Sequence, residues 1–446
     1  MSTVRLPGAN EFRKALKRDT AALLDSVLDA AESREIAVYA VGGPVRDLVL
    51  GREINDVDLL VESADAVALA TLAAPPDARV TPHDRFGTVQ LRVGTANIDL
   101  SGVRRETYAH VGALPRVEPG SLKEDLARRD FTVNALALPL SNQAKREHSG
   151  IVDLAGGIAD LTGGDLRILH PRSFHDDPTR VLRAARLGPR LGLSLTRGSR
   201  TALRDALRDG VFGRVSGDRL RRELVKIFDD AQRGLDPSKV LRLLSNWHVL
   251  GALEPGLDLP RAAVVPLRRL GRAIASPPWR SGRWRSWISG LNVWLAPASP
   301  ALRRRTLQRF SVRGEVARAI SGFPKASGGW MNALLRARGR GAIDAALAPL
   351  SEEQLYSLYS LADPKLRRRI ARFAVEDRMR RVPLGGEDLL AIGLEGPALG
   401  RVLNRVRVAY LDGALKDRDE AIALAREIAR RRGTSKPKPA ARARRC

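Results

Sequence analysis

The chain has 446 residues, with 76 Lys+Arg against 50 Asp+Glu and a formal net charge of +26. That length exceeds one hydrophobic core and implies two to four domains, and a positive excess spread along the chain makes a polyanion, above all nucleic acid, the leading partner. The lone cysteine, Cys446, excludes an internal disulfide framework or zinc cluster and suits a reducing cytoplasm; neither a signal peptide nor a bilayer-spanning run is expected.

In chain order, Asn10 to Arg34 has helical periodicity. "IAVYAVGG" reads as a β-branched strand ending in glycines, and "PVRDLVLG" as a short helix with proline in its first turn and glycine after its end. "DVDLLVE" is a second strand and "ADAVALATLA" a helix, while "RFGTVQLRVG" and "ANIDLSGV" form a strand pair around a glycine turn. A long loop, Thr107 to Gly120, precedes the helical "SLKEDLARRDFTVNALAL". Beyond His175 strand signals vanish, and amphipathic helices follow one another to Arg432, broken at "ASPPWRSG", "APASP" and "FPKASGG". The tail "GTSKPKPAARARRC" is basic, of low complexity, and expected to be disordered.

The chemistry concentrates in "VGGPVRDLVLGREINDVDLLVE", Val41 to Glu62. Residues two apart on a strand face the same way, so Asp56 and Asp58 present both carboxylates on one face. Such carboxylates repel unless a cation lies between them, and hard oxygens at this spacing suit Mg²⁺ completed by a substrate phosphate. Asp99, in "NIDL" on a later strand, is the candidate third carboxylate; three acids holding two metal ions can activate a hydroxyl and stabilise a leaving pyrophosphate. Gly42 and Gly43 let backbone N–H groups approach a triphosphate, the next helix start adds positive potential, and Arg46 is placed to reach the phosphates. The plainer alternative makes Asp56 a turn cap and Asp58 the partner of an arginine. Arg128 and Arg129 in "RRDFTVNA" offer guanidinium forks for phosphate, with Asp130 expected to orient them. In "HDDPTRVLRAAR", Asp177 and Arg180 lie three apart and would share a helix face; an acceptor beside a donor matches the Watson–Crick edges of cytosine and adenine and opposes those of guanine and uracil. Asp177 before Pro178 is equally a good helix start. Arg183 and Arg186 continue the stripe.

These blocks, "GGPVRDLVLGREINDVDLLV", "HDRFGTVQL", "SLKEDLARRDFTVNALAL", "VDLAGGIADLTGGDLRILH" and "DDPTRVLRAARLGPRLGL", resemble in order those of class II tRNA nucleotidyltransferases and bacterial poly(A) polymerases, within the polymerase β superfamily. The resemblance covers roughly residues 35 to 225. It implies template-independent transfer of C, C and A from CTP and ATP to a tRNA 3′ end, with Asp56, Asp58 and Asp99 catalytic and holding two Mg²⁺ ions. It also implies that Arg129 and Asn134 serve the incoming nucleotide and that Asp177 and Arg180 select the base. Asp176 stands where many members have glutamate, and Leu187 where phenylalanine is usual. The loop Thr107 to Gly120 corresponds to one that resembling enzymes use in switching from C to A. The segment "PLGGEDLLAIGLEGPALGRVLNRVRVAYLDG" is similar to the tail motif of bacterial CCA-adding enzymes, which makes Gly396, Pro397 and Arg401 candidate RNA contacts. That motif favours tRNA over the long poly(A) products of the sister enzymes; an enzyme adding only A, or only CC, is the other alternative.

The expected architecture is therefore α+β: a mixed-sheet nucleotidyltransferase head over 1–165, a helical neck over 166–235, a helical body over 236–330 and a helical tail over 331–432, with 433–446 disordered. The neck is expected to select the nucleotide, and the body and tail to grip the acceptor arm and elbow of tRNA, in the cytoplasm and without a membrane partner. The tryptophans Trp279, Trp284, Trp287 and Trp294 are expected in the core more readily than against a base.

Overall fold

A computed structural model describes residues 6–62, 65–83, 87–107, 110–112 and 116–433. The residues fall into two compact units: Met1–Glu223 with Leu243–Pro255, and Leu224–Arg242 with Gly256–Cys446. The low-complexity tail after Gly433, and parts of the "HDRFG" block and of the Thr107–Gly120 loop, lie outside the described residues.

The first unit is built on a seven-stranded mixed sheet, ordered β3-β4-β5-β2-β1-β8-β9. Its strands are β1 (Ala37–Val41), β2 (Val57–Glu62), β3 (Arg79–His83), β4 (Thr88–Val93), β5 (Ala96–Gly102), β8 (Leu136–Pro139) and β9 (Val152–Asp153), with β6 (Arg104–Thr107) and β7 (Arg116–Pro119) forming a separate ribbon. All five residues of β1 are buried, as a central run of Ala, Val and Tyr requires. Tyr39, Val41 and Leu60 pack with Leu122, Leu126 and Ala137 into one core cluster. β2 runs parallel to β5, with Asp58 opposite Asp99, whereas the other pairings in this sheet are antiparallel.

Several expectations need correction. The single helix over Asn10–Arg34 is two, Ala9–Ala15 and Arg18–Glu32, because Leu16 and Lys17 are both extended. The long loop contains strand β7, paired with β6 through Arg105↔Glu118, a charged cross-strand pair without the alternation that marks a half-buried strand. β3 went unread for the same reason: Pro82 and a charged start mask it. Strands do not end at His175 either, since β11 (Ser194–Leu195) pairs with β10 (Asp165–Leu166).

In the second unit, every element among the described residues is helical. Ser299 and Asp363 each cap a helix whose first turn carries proline, and Ser351 closes a capping box with Gln354. The expected break at "FPKASGG" is absent. Helix Gly314–Arg336 continues through Pro324, with Phe323 and Ser327 buried along it. Trp279 and Trp294 are core residues whose indole N–H groups donate to Glu352 (2.9 Å) and to the Asp258 carbonyl (2.9 Å). Trp284 stacks on Tyr356 with centroids 4.0 Å apart. Near the C-terminus, helices Gly386–Ala391, Pro397–Leu411 and Arg418–Gly433 share a small core around Leu389, Val402, Val406 and Ala425.

One glycine fixes the packing of helix Gly157–Gly163 against Thr132 in the first unit. Asp153 accepts from the N–H groups of Gly157 (2.8 Å) and Ile158 (2.9 Å), and a Cβ on Gly157 would stand 2.2 Å from the Thr132 carbonyl oxygen. Backbone on both sides prevents relief. Gly157→Ala is expected to destabilise the first unit by about 1–3 kcal/mol, read as a lower urea midpoint with an unchanged m-value.

Candidate active site

The acids come first, because the sheet places them. β2 and β5 lie side by side in register, so Asp58 and Asp99 occupy paired positions. Asp99 accepts a hydrogen bond from Gln90 Nε2 on β4 (3.0 Å). Asp58 keeps more than a third of its surface open, yet it sits among enough protein that desolvation, followed by the charges of Asp99 and then Asp56, pushes its pKa up to about 6 against the pull of Arg129. Asp56 lies one residue ahead of β2, outside the strand pairing. Among the described residues no three acidic or histidine side chains form a cluster able to hold an ion, so the expected set of Asp56, Asp58 and Asp99 is a strand-paired couple with Asp56 as a neighbouring charge. Asp58 and Asp99 nevertheless fit a divalent cation: two hard oxygen donors repel each other on adjacent strands, and a cation removes that repulsion.

Gly42 supplies the second part. Its φ of 74° and ψ of −125° are open to glycine alone, and its absent side chain leaves room for Arg129: a Cβ there would come within 2.7 Å of Arg129 Nη1. Gly43 opens the helix Gly43–Val49. Arg129 is held from behind. Asp125, 0% exposed, takes its Nη2 (3.0 Å) and Nε (3.3 Å) on one oxygen and Arg128 on the other. Arg128 also donates to Glu106 (2.7 Å). The orienting acid is therefore Asp125, not Asp130 as the sequence reading had it. Its signal was present in "EDLARR": an acid three and four residues before two arginines on one helical turn.

Arg46, Asn134 and Asp130 form a third group, and its wiring departs from expectation. Arg46 is 4% exposed; its Nε (2.9 Å) and Nη2 (2.8 Å) donate to Asp47, and its Nη1 donates to Asn134 Oδ1 (2.5 Å). Those bonds and its burial hold the guanidinium beneath the glycine turn, its Nη2 3.6 Å from where a Cβ on Gly43 would stand. Asn134 spends its other end on Asp130, Nδ2 to Oδ1 at 3.0 Å. Burial pushes Asp130 up, but Arg183, Asn134, Arg180 and the Phe131 N–H outweigh it and hold the carboxyl below its usual range. Arg183, ion-paired to Asp130 at 2.7 Å, is the more accessible guanidinium of this group, with its side chain 45% exposed against 4% for Arg46. Arg46 and Asn134 thus bond to each other and to Asp47 and Asp130 under the glycine turn.

The pair expected to select the base is also rearranged. Asp177 is not on the helix: it precedes Thr179–Leu191, and its Oδ1 accepts from Thr179 N (2.9 Å), Thr179 Oγ1 (2.6 Å) and Arg219 (2.7 Å). Among the described residues no donor is recorded at its Oδ2, which leaves one acceptor oxygen for a ligand. Arg180 is 6% exposed, donating to Ser173 Oγ (2.6 Å) and to the Arg128 carbonyl (2.8 Å), so it braces the arginine-bearing turn rather than facing a ligand. Arg186 donates to Glu223 (2.8 Å). The unforeseen residue here is Arg219, which also donates to the Gly112 carbonyl (2.9 Å) and so ties the loop to Asp177. Nothing in local sequence pairs residues 107 apart.

In the second unit, Gly396 (φ 53°) caps helix Pro397–Leu411, and Gly396, Pro397 and Arg401 are all exposed.

Several known proteins are similar to this chain. The Poly A polymerase head domain family matches residues 38–167. The chain is 30% identical over 433 residues to an A-adding tRNA nucleotidyltransferase of Geobacter sulfurreducens, covering 94% of this chain and 48% of that protein, so it spans about half that relative's length. It is 30% identical over 417 residues to a CC-adding tRNA nucleotidyltransferase of Deinococcus radiodurans, covering 93% of this chain and 94% of that protein. A solved CCA-adding enzyme, apo form II, superposes with a TM-score of 0.73 at 25% identity over 95% of this chain and 98% of the other.

The pKa of Asp58 gives a sign that can be checked. A carboxyl raised from 3.8 to about 6 binds more protons folded than unfolded, so its contribution to stability falls as pH rises from about 4 to 6 and stays unfavourable above. Asp58→Asn is therefore expected to stabilise the metal-free protein at pH 7.5, by about 1 kcal/mol after solvent screening, and to change little at pH 4. MgCl₂ should raise the melting temperature of the parent at pH 7.5 but not that of the variant.

Proposed function

The chain belongs to the class II tRNA nucleotidyltransferase family, and on that premise we propose that it adds C, C and A to the 3′ end of tRNA from CTP and ATP without a nucleic-acid template. The observation that carries the reading is the juxtaposition of Asp58 and Asp99 with Arg129 poised over Gly42: paired acids beside a cationic, side-chain-free turn. Such a site recognises a triphosphate from two ends.

In the reaction, the oxygen of the terminal 3′ hydroxyl bonds to the α-phosphorus of the nucleotide, the bond from that phosphorus to the β-bridging oxygen breaks, and pyrophosphate and the hydroxyl proton depart. Asp58 and Asp99, with Asp56 nearby, would hold Mg²⁺, which supplies Lewis-acid stabilisation of the developing charge. Arg129, fixed by Asp125, binds the phosphates. Gly42 and Gly43 let the chain approach them. Arg46, Asn134 and Asp130 keep that turn in place. Asp177 Oδ2 accepts from the amine that cytosine carries at C4 and adenine at C6, where uracil and guanine carry a carbonyl oxygen. Arg180 supports Asp177's segment through Ser173, and Arg183 is the open donor nearby. Exposed Gly396, Pro397 and Arg401 are proposed to meet tRNA phosphate.

A second reading, addition of A alone to tRNA already ending in CC, is favoured by the likeness to the Geobacter A-adding protein. Purified protein incubated with tRNA ending at the discriminator, at C or at CC, each with single nucleotides, separates the two: the first reading requires extension of all three, the second of the last only. No extension of any tRNA under these conditions sinks both.

Two substitutions probe the parts. Asp177→Ala is expected to relax choice among the four nucleotides while leaving the rate with CTP within about tenfold, measured by competition between labelled nucleotides. Asp125→Asn removes the charged acceptor behind Arg129 and is expected to raise KM for nucleotide roughly tenfold, about 1.4 kcal/mol, with tRNA affinity unchanged.

A further inference from the structure

Away from these acids, the second unit holds a cavity of about 480 Å³ lined by Arg268, Arg269, Arg272, Tyr359 and Arg367. Its construction follows from spacing. Arg268 and Arg272 lie four apart on helix Arg261–Ala275 with Arg269 beside them; Tyr359 comes from helix Glu352–Leu361, and Arg367 from helix Pro364–Val375. No acidic residue lines the cavity.

The arginines differ in how they are satisfied. Arg269 is anchored, donating to the carbonyls of Ser360 (2.6 Å) and Ala362 (2.9 Å), which neutralise no charge. Arg268 has a partial partner in Asp236 at 3.4 Å. Arg367 Nε is buried without an acceptor. Arg272 is exposed and makes no side-chain ion pair among the described residues. Burial, and then the charge of Arg367, hold Arg269 below its ordinary pKa, so the cluster repels itself. A fold gains nothing from four guanidinium groups converging on a hollow with one distant carboxylate; such local conflict is characteristic of binding sites.

We propose that this cavity is a phosphodiester-binding site for the tRNA backbone, with Arg272 and Arg367 as its phosphate donors and Tyr359 as the flat wall beside the sugar or base. Guanidinium forks match phosphate oxygens, and the volume suits about one nucleotide unit. The surface would hold the substrate body while the acids of the first unit act on its end. This inference rests on the proposed tRNA function and adds the place and chemistry of one contact.

The test is the double variant Arg272→Ala/Arg367→Ala in the full chain. Relieving repulsion should leave its melting temperature unchanged or higher, which establishes folding. Expected results are an approximately tenfold rise in KM for tRNA, unchanged kcat and nucleotide KM, and a salt dependence of tRNA binding whose log–log slope is shallower by about one. A folded, active double variant with parental tRNA affinity and salt slope overturns the proposal. So does inorganic phosphate that raises the melting temperature of the parent but not of the variant while tRNA affinity stays equal, since the site then takes only free anions. If the parent itself neither binds nor extends tRNA, the functional reading fails, a result distinct from a parent that binds tRNA and a variant that binds it equally.

Discussion

The parallel pairing of β2 with β5 brings Asp58 alongside Asp99 and makes two negative charges share one patch of sheet. Folding alone disfavours this arrangement: the apolar neighbours Val57, Leu59, Ile98 and Leu100 are buried and fix the strands, and the acids are carried together as a consequence. The repulsion is partly offset by Arg129. The remainder is an excess of negative charge that a divalent cation would relieve. The rest of the first unit can be understood as scaffolding for that excess.

Around it lie two sets of arginine bonds. In one, Asp125 and Glu106 grip Arg128 and Arg129 from the turn behind; in the other, Asp47, Asn134 and Asp130 link Arg46 to Arg183. Arg180 joins the first set to the Asp177 segment through the Arg128 carbonyl and Ser173. The groups left open to a ligand are thereby few, and buried partners hold the side chains behind them. Breaking a buried pair by removing one member costs about 3–5 kcal/mol, so loss of a positioning residue here acts on geometry and stability together.

The sequence carried the parts of this arrangement that depend on short spacing. The strand-turn-helix around Gly42, the alternation that puts Asp58 on β2, and the strand pair leading to Asp99 were all legible, because each follows from periods of two or from glycine punctuation. What escaped was long-range or hidden by polarity. Strands β3 and β7 have charged or proline-bearing sequences. The partners of Arg46 and Asn134 were not legible, because sequence shows that an arginine is near a glycine turn, not that Asp47 and Asn134 already bond to it. Asp177 and Arg180 lie three apart, but Pro178 starts the helix between them, so the shared face never forms. Arg219 has no local signature at all. In the C-terminal half, the succession of amphipathic helices was legible, whereas the gathering of Arg272 and Arg367 required knowing which helices meet.

The alternation along β5 has an evolutionary corollary. Ile98 and Leu100 point into the core on either side of Asp99. Losing or gaining a single residue within Ala96–Gly102 would rotate the acid to the greasy side and a hydrocarbon to the reactive one, so length variation among descendants of this chain should collect in the connections and spare this strand.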